Sequence, residues 1–420
     1  MELRFRKGRD IAFGTAPRAL PPVPCAVGAV AVMARDFPAV VWDPRVTQGQ
    51  VVRQGQALCV DRLRPEIALV AAASGRVSGL HHGARRRLER IEIEAEGAEE
   101  TEFDVKGATA DPGSLRALLL KSGAWAAFRT RPFGRIPAPS DRPAAIFVTV
   151  TDSQPLAADP VAVLAPQVAA FQRGVAGLLH LTEGPVFLCQ PPGPALMAAQ
   201  GRLRVVQVAG AHPAGLAGTH IHHLWPVSVQ KPVWQIGGQD VSALGQLLES
   251  GRIGARRVVS VAGPGVQAPR LVSVLLGARL TDLVDDAAGG KPLARQVISG
   301  SVLSGQSAPF LGRFDLQVTV LGGAAPAPSV WGRLLSCLPR LRTGATLPME
   351  RFEAAFPFDI PPAPLMRALA VGDVETAERL GCLDLLEEDL ALLSWLCPSG
   401  CDYGALLRRV LDRLGQEAAA

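Results

Sequence analysis

The 420-residue chain predicts a multidomain α/β protein. Three observations lead there. Short strands punctuated by glycine fill residues 26–96, strands and helices alternate over 111–255, and after Met349 the apolar pattern turns helical. One ordinary core does not serve this length, so two to four domains are expected. Nearly half of the residues are hydrophobic (48%), enough for large cores.

In the first part, Val46–Leu58 and Ile67–Val77 share a pattern of glycine, valine and small residues. It resembles a barrel sandwich of the biotinyl/lipoyl type, with glycines at hairpin corners. A carrier domain of that type needs a lysine at the hairpin between its halves. Here the hairpin reads Asp61-Arg62-Leu63-Arg64-Pro65-Glu66. Arginine forms no such amide, so the fold is expected to serve as structure.

In the second part, Pro112–Ser122 reads as a helix, Ala144–Val150 as a buried strand and Asp159–Phe171 as a helix opened by Pro160. Strands Pro185–Cys189 and Leu203–Val208 follow, then a helix over Val241–Glu249 ending at Gly251. Continuous apolar strands separated by helices predict a parallel sheet. Next come strands Val258–Gly263 and Leu271–Leu276, a short helix Leu280–Val284 and a strand from Gln296, a small β-grasp layout. A Gly/Ala/Pro/Arg-rich linker and three or four short helices close the chain. The expected domains are 1–100 (with an N-terminal arm), 101–255, 256–321, a linker over 322–348, and 349–420.

The net charge is +5, from 43 basic against 38 acidic residues, with no long basic tract. Without aromatic–basic interleaving, no nucleic-acid partner is expected. Seven scattered cysteines suit a reducing compartment rather than a disulfide framework. Cys382, Cys397 and Cys401 lack the close cluster spacing of iron–sulfur ligands and read as buried thiols. The start Met1–Arg6 carries no signal-peptide run, and no transmembrane helix is expected. There is no phosphate-cradling loop and no strand–GxGxxG–helix fingerprint. No Ser/His/Asp or Cys/His triad is legible, so no catalytic residue is assigned.

Two stretches carry candidate chemistry. Gly210–His223 holds four of the seven histidines among glycine and proline. It follows a strand and reads as a loop, either a site or a tight crossover with its histidines pinned to backbone. As a strand, Thr219-His220-Ile221-His222 puts two imidazoles on one side, suited to one metal ion. No histidine follows His223, and nothing fixes His180 as a third ligand, so no metal is assigned. The second stretch, Arg129-Thr130-Arg131-Pro132-Phe133, pairs two arginines with an aromatic. It can hold an anion or a polar ring head group, or form a salt-bridged corner between domains.

Several long, ordered stretches identify a family. They are Leu119–Pro139, with Ser-Gly-x-Trp-x-x-x-Arg-Thr-Arg-Pro-Phe, then Ala144–Pro160 and His212–His222, with His-Pro-Ala-Gly-Leu-x-Gly-Thr-His-Ile-His. Ala262–Leu271, Val297–Gly305, Leu380–Leu392 and Cys397–Arg408 add to them. Together they resemble the A subunit of the bacterial Na⁺-translocating NADH:quinone oxidoreductase, over nearly the whole chain.

The resemblance implies a barrel sandwich, a Rossmann-like α/β domain, a β-grasp module of the SLBB type and a helical end. It implies a peripheral subunit on the cytoplasmic face of the inner membrane, with no redox cofactor of its own. Flavins and iron–sulfur centres then belong to partner subunits of the membrane complex, and ubiquinone is a possible ligand. Contact candidates for quinone or a partner are Arg129, Arg131, Phe133, His212, Gly215, Thr219, His220 and His222. A related family, the C subunit of ion-translocating ferredoxin:NAD⁺ oxidoreductases, shares the plan but carries Cys-x-x-Cys-x-x-Cys motifs absent here. A His-x-His metal hydrolase and a ligand-free assembly scaffold complete the alternatives.

Overall fold

A computed structural model describes residues 1–17, 21–109, 111–284, 296–322 and 346–418. Cys337, most of the linker expected over 322–348 and the last two alanines lie outside the described residues.

The barrel is two small antiparallel sheets. One orders Ala29–Met33, Leu88–Ala95, Gly75–His82 and Val51–Val52; the other orders Trp42–Pro44, Ala57–Asp61 and Ala68–Val70. Gly49 and Gly55 turn the chain with φ near +85°, a conformation closed to most side chains. At the hairpin between the halves, Leu63 is 84% exposed while Asp61 turns inward and binds Arg64 at 2.7 Å.

The second unit holds a six-stranded sheet. Its order is Glu2–Arg4, Leu203–Ala209, Val186–Gln190, Ala145–Thr149, Val233–Gly237, Arg129–Arg131. The first five strands are parallel, and the last runs antiparallel to its neighbour. Asp159 caps the helix Pro160–Leu164, accepting from the N–H groups of Val161 and Ala162. The expected single helix is interrupted there. A tighter turn, Ala165–Gln167, contains Pro166, and the helix resumes as Val168–Leu178.

Pro160–Leu178 is long and apolar enough to cross a membrane on composition alone. Here Phe171, Val175 and Leu178 point into the core. Its inner turns pack on the helix Gly238–Ser250. The two helices approach to backbone distance because both lack side chains where they meet. A Cβ at Gly174 would strike the carbonyl of Val241, and one at Gly245 the carbonyl of Ala170.

The third unit is a mixed sheet. Arg256–Ala262 and Arg270–Leu275 form a hairpin, Gln317–Leu321 lies parallel to Arg256–Ala262, and Gln296–Ser299 runs antiparallel to Gln317–Leu321. The C-terminal unit has its own core around Phe352, Phe356, Phe358, Leu386, Tyr403, Leu407 and Leu411. Its described helices are Glu350–Ala355, Pro362–Val371, Val374–Arg379, Ala391–Leu396 and Tyr403–Glu417.

The first residues lie outside the barrel that follows them. Glu2–Arg4 extends the parallel sheet beside Leu203–Ala209. The Gly8 N–H donates to Ala354 in the C-terminal unit, and the Arg9 N–H donates to His212. Val23–Pro24 then joins the third unit beside Val272–Ser273. Backbone pairing over two or three residues leaves no hydrophobic period, which is why the sequence showed only an arm.

The helix crossing yields a prediction with a definite sign. Gly→Ala at an open helix position stabilises by about 1 kcal/mol. At Gly245 the methyl meets rigid backbone, so Gly245→Ala is expected to destabilise by about 2 kcal/mol. Urea unfolding at unchanged m-value reads the difference; a higher midpoint would show that the helices can part freely.

Candidate functional site

The histidine stretch leaves the C-terminal end of strand Leu203–Ala209, turns through 210–216 and becomes a helix, Ala217–Leu224. The strand expectation for Thr219–His222 is thereby corrected. Ala217, Ile221 and Leu224 recur at helical spacing and pack on the sheet face. That period won over the short Thr-His-Ile-His alternation. On a helix, residues two apart point about 200° apart, so His220 and His222 do not converge on one ion.

His220 is wholly buried and its Nε2 lies 2.8 Å from the carbonyl of Ala214. A carbonyl only accepts, so Nε2 carries the proton, and Nδ1 has no partner among the described residues. His212 is equally enclosed, with Nδ1 3.2 Å from Ser153 Oγ and its backbone N–H donating to Asp10. Thr219 Oγ1 donates to the carbonyl of Pro213, and the Gly215 N–H to Ser153 Oγ. Gly215 is glycine for a steric reason: a Cβ would lie 2.5 Å from the backbone nitrogen of Ser153. Desolvation dominates both buried histidines and pushes each imidazole down to about 4.

His222 and His223 face the C-terminal unit. His222 Nδ1 meets Asp384 Oδ2 at 2.7 Å while its Nε2 accepts the Asp359 N–H at 3.0 Å. Asp384 also accepts from the Val227 N–H. His223 Nε2 lies 2.8 Å from the carbonyl of Pro357, its ring 5.0 Å from Phe5.

The arginine corner completes this junction. Arg131 is fully buried. Its Nε donates to Gln235 at 3.0 Å and its Nη1 to Asp389 Oδ2 and the carbonyl of Asp384, both at 2.7 Å. Glu388 takes the Arg129 guanidinium at 3.0 Å and approaches that of Arg131 at 3.5 Å. Burial alone would raise the Glu388 carboxyl, but Arg129 and Arg131 outweigh it and hold it down to about 2. Asp389 lies against Gly218 in the first turn of the histidine helix, where a Cβ would strike both of its carboxylate oxygens. Phe133 leaves the corner with positive φ and packs on the C-terminal core. Of the two sequence readings, the geometry forms the salt-bridged corner.

Three family models match: the NqrA N-terminal barrel-sandwich hybrid domain over residues 3–96, the NqrA second alpha/beta domain over 110–253 and the NQRA C-terminal domain over 258–309. The A subunit of the Na(+)-translocating NADH-quinone reductase of Serratia proteamaculans is 40% identical, covering 99% of this chain and 100% of that protein. The proteins of the same name from Pasteurella multocida and Shewanella frigidimarina are 38% and 39% identical at the same coverage. The chain belongs to this NqrA family. Among solved structures, an NAD⁺-reducing [NiFe]-hydrogenase in the H₂-reduced state aligns with a TM-score of 0.40 at 14% identity, over 73% of this chain and 62% of that one.

In this member of the NqrA family, most of the contact candidates are closed off. Arg131, His212, Thr219 and His220 show no exposed surface, and Gly215 is buried; Arg129, Phe133 and His222 keep partial exposure. His222, His223 and Asp359 offer ligand atoms within 4.8 Å of one another. A metal there would take one nitrogen of His222, and both are already engaged, Nδ1 by Asp384 and Nε2 by the Asp359 N–H. His180, the other sequence candidate, is exposed at the end of another helix. Cys382 and Cys397 are buried thiols, Cys397 within reach of Ser399 and Tyr403 hydroxyls.

Ligands of open α/β sheets bind outside the carboxyl ends of the strands where the strand order reverses. Here that point lies between Ala145–Thr149 and Val233–Gly237, and protein occupies it. Leu164 and Val150 crowd Gly238. The following loop is held by the third unit: Ser301 donates to Gln154, Gln317 to the carbonyl of Pro155 and Ser260 to that of Leu156. Asp152, in the same loop, escaped sequence analysis; burial pushes its carboxyl up to about 6. Its signals were its place just after the central strand and within the family-matching stretch Ala144–Pro160, where it was given no role.

Both the ion pair and the buried imidazoles can be tested. Arg131→Met leaves Asp389 buried without its partner and is expected to cost about 3–5 kcal/mol. Adding Asp389→Leu should recover more than half, read by chemical unfolding; no recovery would place the loss outside the pair. For the histidines, the unfolded chain binds protons from about pH 6.5 and the folded chain only near 4. Their stabilising contribution is therefore whole above 6.5 and lost as pH falls toward 4. Asp152 acts in the opposite sense below about 6. Comparing His220→Gln with wild type isolates one imidazole: their unfolding free energies should converge across that window, and parallel curves would contradict a buried neutral His220.

Proposed function

We propose that the chain works as the A subunit of a Na⁺-translocating NADH-quinone reductase, a peripheral component that carries no redox group itself. The observation that carries this reading is end-to-end similarity to proteins of that name, 99% of this chain against 100% of theirs. In this reading the chain lies on the cytoplasmic face of the bacterial inner membrane. Partner subunits hold the flavins and iron–sulfur centres, and the chain shapes the quinone end of the reaction while bracing the assembly. Its second unit is Rossmann-like, its third a β-grasp module of the SLBB type and its last a helical bundle, with boundaries near residues 100, 255, 321 and 348.

The filled crevice at the strand-order reversal supports a component without a dinucleotide or flavin. The partly exposed Arg129, Phe133 and His222 are the residues through which quinone or a neighbouring protein of the complex would be felt. A ligand-free scaffold is the second reading, favoured by the enclosure of Arg131, His212, Thr219 and His220.

The purified chain is expected to contain far less than one zinc or iron per molecule by elemental analysis, and to oxidise no NADH with an artificial electron acceptor. Stoichiometric metal or NADH turnover by the chain alone would overturn the proposal. In the intact complex, Arg129→Ala together with His222→Ala should raise the KM for quinone with the complex assembled. An unchanged KM leaves the scaffold.

A further inference from the structure

The third unit reaches Arg129 through Phe314, a residue outside the contact candidates. Phe314 lies in the loop just before strand Gln317–Leu321. The Arg129 guanidinium stands over its ring, the central carbon 4.9 Å from the centroid. The same guanidinium donates through Nη2 to Glu388 at 3.0 Å. Arg129 is therefore gripped on two sides, by a carboxylate of the C-terminal unit and an aromatic face of the third. Its Nε and Nη1 make no hydrogen bond among the described residues, and its side chain is 26% exposed. A fixed guanidinium with N–H groups to spare suits a carbonyl oxygen, which only accepts.

Phe314 is itself held in place. Phe37 of the barrel meets its edge at 6.0 Å, and the Arg313 guanidinium carbon lies 5.4 Å from its centroid. Arg313 is anchored in turn. Its backbone N–H donates to Asp36 of the barrel and its Nη2 to Asp240 of the second unit, both at 2.8 Å. The ring thus has a position set by two other units. A partly exposed ion pair by itself leaves an arginine several rotamers. The ring beneath favours the stacked one by about two- to fivefold.

We propose that Phe314 is a positioning residue for quinone that acts through Arg129, which rests on the reading that Arg129 contacts quinone. The ring holds the guanidinium plane, and with it the directions in which Nε and Nη1 donate. By this route the third unit takes part in the quinone end of the reaction.

The test is quinone-dependent turnover of the intact complex. Phe314→Met keeps the bulk and removes the aromatic face. It should raise the KM for quinone about two- to fivefold with kcat nearly unchanged. Phe314→Tyr keeps the ring and should restore the wild-type KM. A purely structural role would lower kcat or assembly in step and leave KM alone. Arg129→Ala should raise KM by itself, and Phe314→Met should add nothing in that background. An additive effect overturns the proposal, because the ring would then act apart from Arg129. A wild-type KM in Phe314→Met, or in Arg129→Ala, overturns it as well. The quinone reading itself falls only if Arg129→Ala/His222→Ala also keeps the wild-type KM. Native electrophoresis checks assembly, and Phe314→Leu is the second variant. Loss of assembly in both makes the ring structural and overturns the proposal.

Discussion

The buried contact between Arg131 and Asp389 is the constraint on which the junction of the second and C-terminal units rests. A guanidinium on the edge strand of the sheet and a carboxylate beside Gly218 are both removed from water. Neither charge could be buried alone. Each neighbour is arranged around that fact: Gln235 takes Nε, the Asp384 carbonyl shares Nη1, and the Leu386 N–H donates to Asp389. The histidine helix is drawn into the same junction. His222 lies on Asp384, a few residues before the Glu388 carboxylate that Arg129 and Arg131 grip.

This arrangement gives the histidine-rich stretch a physical explanation that needs no ion. His220 and His212 pin the turn 210–216 to carbonyl and hydroxyl groups inside one unit. His222 and His223 bind that unit to the next. Imidazole suits the junction because His222 bonds through both nitrogens, to Asp384 and to the Asp359 N–H, on a flat, largely apolar ring.

The barrel, the parallel strands and the cap at Asp159 were legible because each rests on local signals: glycine at tight corners, continuous apolar runs, an aspartate before proline. The helix end at Gly251 was legible for the same reason. The fate of His220 and His222 was harder to read. Alternation over four residues competes with a helical period spread over eight, and only the sheet beneath Ile221 decides between them. Arg131 could be singled out from its company but not assigned, since Asp384 and Asp389 lie 253 and 258 residues away. Glu388 and Asp389 belong to the acidic run Glu387-Glu388-Asp389, which carries no local sign of burial. Asp152 and Phe314 share that limit: an unusual environment is built by elements remote in the chain.

The first few residues carry a consequence for biosynthesis. Glu2–Arg4 leave the ribosome well before their partner strand Leu203–Ala209 is made. Gly8 waits longer still, for Ala354. Pairing across such separation forms slowly, and an edge strand without its neighbour is a template for foreign pairing. This segment therefore waits unpaired while the residues up to its partner strand are made. The charged residues around this short strand, Glu2, Arg4, Arg6 and Lys7, keep it a poor template for other chains until its own sheet exists.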